Sequence, residues 1–71
     1  NVSIGNNCII NTKSLIEHDC EISDHCHIST CATINGSVKI KSKSFIGSNA
    51  TLRDGIVIKE NSFIKANSLV K

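Results

Sequence analysis

Residues 16–40, which read IEHDCEISDHCHISTCATINGSVKI, show a regular repeat. Isoleucine recurs in this stretch at every sixth position. The same frame extends in both directions and holds Ile, Leu or Val throughout, at Ile4, Ile10, Ile16, Ile22, Ile28, Ile34, Ile40, Ile46, Leu52, Ile58, Ile64 and Val70. A strict period of six fits neither a helix nor globin-like packing, so it indicates a repeat architecture.

A second column of the frame, four residues after each framed position, is occupied mainly by Cys, Ser and Ala. The next framed residue follows two positions later, so both side chains point to the same side of a strand. We therefore predict an interior in which large and small residues alternate. Cys8, Cys20 and Cys26 belong to this column and are interpreted as small core residues. Cys31 falls at a predicted turn.

A third column, three residues after each framed position, is rich in residues that tolerate positive φ. Its members include Asn7, Asp19, Ser37, Asn49, Gly55, Asn61 and Asn67. Each hexad is therefore predicted to be a short strand followed by a tight corner, and three hexads close one coil. The prediction is an all-β fold, a parallel β-helix of hexapeptide repeats with about four coils.

Composition excludes several classes of protein. The chain has 71 residues, which allows one domain. Its aromatic content of 3% and its net charge of +2 argue against nucleic-acid binding. No apolar run approaches the roughly 18 residues of a membrane span. The first residue is Asn rather than Met, so we expect residues 1–71 to be a fragment of a longer chain.

Two surface features predict binding. The outward column that contains Ile9, His27, Phe45 and Phe63 forms an apolar stripe, and exposed stripes of this kind mark interfaces. Charge is also uneven, because residues 1–37 carry one Lys and four acidic residues, whereas residues 38–71 carry seven Lys or Arg and two acidic residues. The basic half suits a polyphosphate ligand. The alternative is that these lysines only keep the last coils soluble.

His18 is the strongest candidate for chemistry. It is predicted at an outward corner between Glu17 and Asp19, and an imidazole next to a carboxylate can act as a base at neutral pH. One coil later the same position is Gly36, which we expect to leave open space above His18 and to expose an N–H for an oxyanion. Asp54 follows in the next coil. The alternative for His18 is an ordinary surface histidine.

The other histidines are more ambiguous. His25 lies in the positive-φ column, which favours a turn role. His27 lies between Ile9 and Phe45 and is either an interface residue or part of the same cleft as His18. A zinc site made of the three histidines is disfavoured, because His25 and His27 are predicted to point apart, and we expect no metal.

The block from Ile16 to Ile22, with His18, Asp19 and Cys20, resembles the signature of sugar acetyltransferases of the sialic acid O-acetyltransferase type. These include bacterial N-acetyltransferases that act on nucleotide-linked 4-amino sugars. The likeness continues through residues 27–29, 32–38 and 45–51 and covers essentially the whole chain. It implies a left-handed β-helix, a homotrimer, acetyl-coenzyme A as donor and a cytoplasmic bacterial enzyme.

The resemblance also implies roles for individual residues. His18 matches the catalytic base, Asp19 the acid associated with it, and His27 and Gly36 the positions that line the acetyl group. Gly47 and Lys65 are expected to contact the coenzyme as well. The acceptor would be a sugar or nucleotide sugar, bound in relatives by an N-terminal domain that we expect to be missing here. Ser37 and the Asp54–Gly55 pair depart from the pattern of the relatives.

Two other functions stay open at this point. A hexapeptide prism can serve only as an oligomerisation scaffold, although the intact frame and the His–acid pair favour catalysis. An acyltransferase with a non-sugar acceptor, such as an amino acid, is the other alternative.

Overall fold

The computed structural model describes residues 1–71 and contains strands but no helix. Each strand has two residues and ends on a residue of the sixfold frame. The strands are β1 (Ser3–Ile4), β2 (Ile9–Ile10), β3 (Leu15–Ile16), β4 (Glu21–Ile22), β5 (His27–Ile28), β6 (Thr33–Ile34), β7 (Lys39–Ile40), β8 (Phe45–Ile46), β9 (Thr51–Leu52), β10 (Val57–Ile58), β11 (Phe63–Ile64) and β12 (Leu69–Val70).

The strands form three parallel sheets of four strands each. Sheet A has the order β1-β4-β7-β10, sheet B the order β2-β5-β8-β11, and sheet C the order β3-β6-β9-β12. Each of the strands β1 to β9 pairs with the strand eighteen residues later, as in the pairing of Ile4 with Ile22. The chain therefore winds through sheets A, B and C in turn, and the predicted parallel β-helix of about four coils is confirmed.

Tight corners join the strands, and each contains one residue with positive φ three positions after a framed residue. These residues are Asn7, Lys13, Asp19, His25, Cys31, Ser37, Lys43, Asn49, Gly55, Asn61 and Asn67, with φ between 58° and 76°. The predicted positive φ of His25 and the turn position of Cys31 are confirmed. Lys13 and Lys43 show that the fold imposes this conformation even on residues that do not favour it.

The core is a single column of framed residues and small residues inside the prism. Its members are Cys20, Ile22, Cys26, Ile28, Ala32, Ile34, Val38, Ile40, Ile46, Ala50, Leu52 and Ile58. Exposure rises towards the first coil, where the framed residues Ile4 and Ile10 are 46% and 38% exposed. Burial therefore depends on stacking between coils as well as on the side to which a residue points.

The small polar residues of the interior donate hydrogen bonds to the next coil. The Cys20 thiol donates to the carbonyl of Asn35 (3.0 Å), and the Ser44 hydroxyl donates to the carbonyl of Lys59 (2.9 Å). These bonds satisfy polar groups that would otherwise be costly to bury. Cys20 and Cys26 are buried and all four cysteines are free thiols, which confirms the interpretation of Cys20 and Cys26 as core residues.

No helix in the structure is long and apolar enough to cross a membrane. The three flat faces and the corners between them are the surfaces on which any site must lie.

Candidate active site

His18 lies at the corner between sheets C and A, two residues after β3 ends. The corner forms because Asp19 adopts a φ of 60°, and it is tied to the next coil by the Ser37 N–H, which donates to the His18 carbonyl (2.9 Å). The fold therefore holds the backbone of His18 rigidly while its side chain, 68% exposed, faces outward. This is the outward corner that the sequence predicts for His18.

Asp19 fixes one nitrogen of the His18 ring. Nδ1 of His18 lies 3.2 Å from Oδ2 of Asp19, so the ring donates its Nδ1 proton to the carboxylate and keeps the lone pair of Nε2 free. Both side chains are largely exposed, and the Asp19 carboxylate is 61% exposed. The pair therefore has the arrangement of a base whose tautomer is set by a neighbouring acid.

The space over Gly36 is filled, which corrects the expectation of open space above His18. The imidazole of His18 lies across Gly36, and a Cβ built on Gly36 would lie 2.5 Å from Nε2 and 2.6 Å from Cε1 of the ring. Gly36 is buried as a result. The missing side chain therefore makes room for the ring itself, because the ring folds along the coil axis towards the next coil.

The Gly36 N–H makes no hydrogen bond within the chain, although the Gly36 carbonyl accepts one from the Gly55 N–H (2.9 Å). Asp54, at the same position in the following coil, is exposed and makes neither a hydrogen bond nor an ion pair. A free N–H and a free carboxylate therefore follow the His18 ring along one corner. Of these two groups, the carboxylate belongs to an exposed residue and the N–H to a buried one.

His27 belongs to a separate ladder of rings on the face of sheet B. Its ring lies 5.0 Å from that of Phe45, and Phe45 stacks on Phe63 at 5.0 Å with an interplanar angle of 8°. The Asn11 amide donates to Nε2 of His27 (3.3 Å). Sequence reasoning placed these rings in one column but did not identify Asn11. The register pairs His27 with Ile9, and Asn11 reaches the ring from two positions further along the chain.

Gly47 and Lys65 also follow strands of sheet B, where they stack on each other at the corner that leads to sheet C. Gly47 is buried, and a Cβ there would collide with the backbone of Ala66, so the structure gives this glycine a packing role. Lys65 is exposed.

The predicted site residues therefore form two groups. His18, Asp19 and Gly36 lie together at the C–A corner. His27, Gly47 and Lys65 lie on sheet B or at its edge, which is the face opposite that corner. One copy of the chain does not bring the two groups together.

His25 lies at the corner between sheets A and B, away from both groups. Its Nδ1 accepts a hydrogen bond from the Asn7 amide of the preceding coil (3.0 Å), which suits a structural role at a turn. No group of three or more His, Cys, Asp or Glu side chains is arranged to hold a metal ion. Burial raises the pKa of the Cys26 thiol, which faces the core and is a poor nucleophile there.

Comparison with protein families gives a match over residues 1–36 to the model described as bacterial transferase hexapeptide (six repeats). The chain belongs to this family. The matched region includes the C–A corner with His18, Asp19 and Gly36, and the repeat continues unbroken beyond it to Val70. Searches of curated proteins and of solved structures gave no match. Family membership identifies a hexapeptide-repeat protein of the transferase type, in agreement with the observed β-helix.

Proposed function

We propose that the protein transfers an acetyl group from acetyl-coenzyme A to a hydroxyl or amino group of a sugar, with His18 as the general base. The observation that carries this proposal is the geometry of one ring. Asp19 accepts the proton of Nδ1, and Nε2 is presented over a residue that has no side chain. Membership of a family of transferases supports the reaction class.

In this reaction Nε2 of His18 removes a proton from the acceptor as its oxygen or nitrogen attacks the thioester carbon. A new C–O or C–N bond forms, the electrons of the carbonyl move onto its oxygen, and the Gly36 N–H or a neighbouring N–H donates to that oxygen. The carbonyl then re-forms, the C–S bond breaks, and the imidazolium returns the proton to the departing sulfur. Asp19 keeps the ring in the required tautomer and stabilises its charged form.

The coenzyme would bind towards the C-terminal coils. The seven Lys and Arg residues of the second half of the chain, Lys65 among them, can offset the charge of its phosphates. The acidic first half surrounds His18 with Glu17 and Asp19. The basic second half of the prism would therefore bind the negatively charged coenzyme, and the acidic first half would favour a substrate group without negative charge.

A second copy of the chain would complete the site. His27, Gly47 and Lys65 lie on the face opposite His18, so they can line its cleft only from a neighbouring subunit. Phe45, which is half-buried, and Phe63, which is exposed, stack on each other and form the surface by which we expect three prisms to pack with parallel axes. We therefore propose that the cleft lies between adjacent subunits of a homotrimer, as the resemblance implies for a cytoplasmic bacterial enzyme.

The test is release of the coenzyme A thiol when the protein is mixed with acetyl-coenzyme A and a panel of sialic acids, amino sugars and amino acids. Acetylation of a sugar, absent from the His18→Ala variant, supports the proposal. Release only with amino acids would move the acceptor to another class. No release with any acceptor would leave the chain as an oligomerisation scaffold.

A further inference from the structure

We propose that Asp54 is a substrate-binding residue of the His18 site. Its carboxylate holds the nucleophilic group of the acceptor on the side opposite to the imidazole, and the site therefore favours an amine. This inference rests on the proposed acetyl transfer. It concerns a residue for which neither a hydrogen bond nor an ion pair within the chain provides a structural role.

The repeat aligns the three residues. His18, Gly36 and Asp54 occupy the same position in successive coils. Two hydrogen bonds join these coils at the corner. The Ser37 N–H donates to the His18 carbonyl, and the Gly55 N–H donates to the Gly36 carbonyl (both 2.9 Å). Parallel strands of neighbouring coils lie about 4.8 Å apart. Because Gly36 has no side chain, no side chain at this position separates the ring from the level of Asp54.

The interval between the His18 ring and the Asp54 backbone, as the spacing of the coils sets it, is wide enough for one polar atom. Nε2 of His18 already reaches the level of Gly36, since a Cβ built there would lie 2.5 Å from it. One interval of about 4.8 Å then separates it from the backbone of Asp54. A nitrogen or oxygen hydrogen-bonded on both sides needs roughly 2.7–3.2 Å on each side, which a bent arrangement in this gap provides.

A neighbouring corner explains why Asp54 is free. At the corner between sheets A and B, the corresponding residue Asp24 folds back over Gly5 and accepts the Asn6 N–H (2.7 Å). At the C–A corner the residue that corresponds to Gly5 is Asn35, whose amide donates to the Leu52 carbonyl (2.9 Å). Asp54 therefore lacks the space that Asp24 uses, and the Gly36 N–H stays without a partner.

The charges favour an acceptor that arrives as an ammonium ion. Glu17 and Asp19 flank His18, and Asp54 adds a third carboxylate along the same corner. An ammonium group loses one proton to solvent on binding and donates one of its remaining N–H bonds to Asp54. The lone pair then attacks the thioester carbon, Nε2 of His18 takes the second proton, and the thiolate receives it when the C–S bond breaks.

The experiment compares Asp54→Asn with Glu60→Gln, a control at the same position of the next hexad, where the residue is also exposed. The probes are nucleoside-diphosphate-linked 4-amino sugars and the same compounds with a 4-hydroxyl group. We expect Asp54→Asn to raise KM for the amine about tenfold, because the amide oxygen of Asn can still accept the N–H but carries no charge. The KM for acetyl-coenzyme A and the melting temperature should not change. Glu60→Gln should behave as the wild type.

Three outcomes overturn the inference. One is an unchanged KM for the amine in Asp54→Asn, and the second is a wild-type preference for the hydroxyl compound. The third is a fall in melting temperature with unaltered kinetics, which would make Asp54 a structural cap of the Gly36 N–H. Acetyl transfer by wild type in any of these cases leaves the proposed function standing. Failure of wild type with every acceptor refutes the proposed function itself.

Discussion

The ring of His18 packs over Gly36, one coil away, so that the space of a single absent methyl group determines where Nε2 points. A Cβ on Gly36 would lie 2.5 Å from Nε2, well inside contact distance. The conformation of the candidate base therefore depends on a residue eighteen positions later in the chain.

Gly36→Ala should displace the imidazole and lower kcat without unfolding the protein. The clash involves an exposed side chain that can rotate away, and Gly36 is not among the residues with positive φ, so alanine fits its backbone. The control is Gly55→Asn at the same corner, because asparagine occupies the equivalent positive-φ position at Asn49 and Asn61. Steady-state kinetics and thermal melting of both variants are the measurements, and full activity in Gly36→Ala would contradict the role of the ring.

His18→Ala should lower kcat by a factor of roughly 10² to 10⁴, the usual contribution of a general base. Asp19→Asn should cause a smaller loss, because it weakens the hold on Nδ1 and leaves the imidazole in place. The dissociation constant for acetyl-coenzyme A should change little in either variant. A purely structural histidine would instead lower activity only as far as it lowers the fraction of folded protein, which thermal melting of both variants measures.

Phe45→Asp should dissociate the expected trimer, because a carboxylate in an apolar interface is costly to desolvate. The ring of Phe45 lies between those of His27 and Phe63, at the centre of the ladder. The matched control is Val57→Asp, which places the same charge at an outward, 55% exposed position on sheet A. Light scattering that finds the same mass for wild type and Phe45→Asp would rule out this face as the interface.

Val38→Ala should lower the free energy of unfolding by about 1.5 kcal/mol or more, since two buried methyl groups are lost at roughly 0.8 kcal/mol each. Val38 is fully buried inside the prism, whereas Val57 points outward. Val57→Ala removes the same atoms and should cost much less. Chemical denaturation of the two variants measures the difference, and equal losses would contradict the assignment of inside and outside.

Stability should fall above about pH 8.5, in part through Cys26. Burial raises the pKa of the Cys26 thiol in the folded protein, so the unfolded thiol ionises first as pH rises. The stabilisation is therefore fully present below the unfolded pKa and is lost as pH rises through the folded one. Denaturation between pH 7 and pH 10 should show a shallower fall for Cys26→Ala than for wild type or Cys31→Ala, and identical slopes would refute the link.

Much of the candidate site could be predicted from the repeat. The frame placed His18, Gly36 and Asp54 in one column, and it placed Ile9, His27, Phe45 and Phe63 in another, as the strand register confirms. These placements need only the number of residues per coil. The partition of the site residues between opposite faces also follows from the register, although the likeness to acetyltransferases had joined them into one site.

The β-helix, its register and the side to which each residue points could all be predicted from the repeat. Each hexad forms the same strand and corner, so the backbone conformation of a residue follows from its place in the frame. Three features could be seen only in the folded chain. The His18 ring fills the space over Gly36, Asp24 caps the Asn6 N–H while Asp54 stays free, and Ile4 is exposed although Ile22 is buried. Side-chain conformation and burial depend on which residues of the adjacent coil lie next to a side chain, and the pattern within one hexad does not specify those contacts.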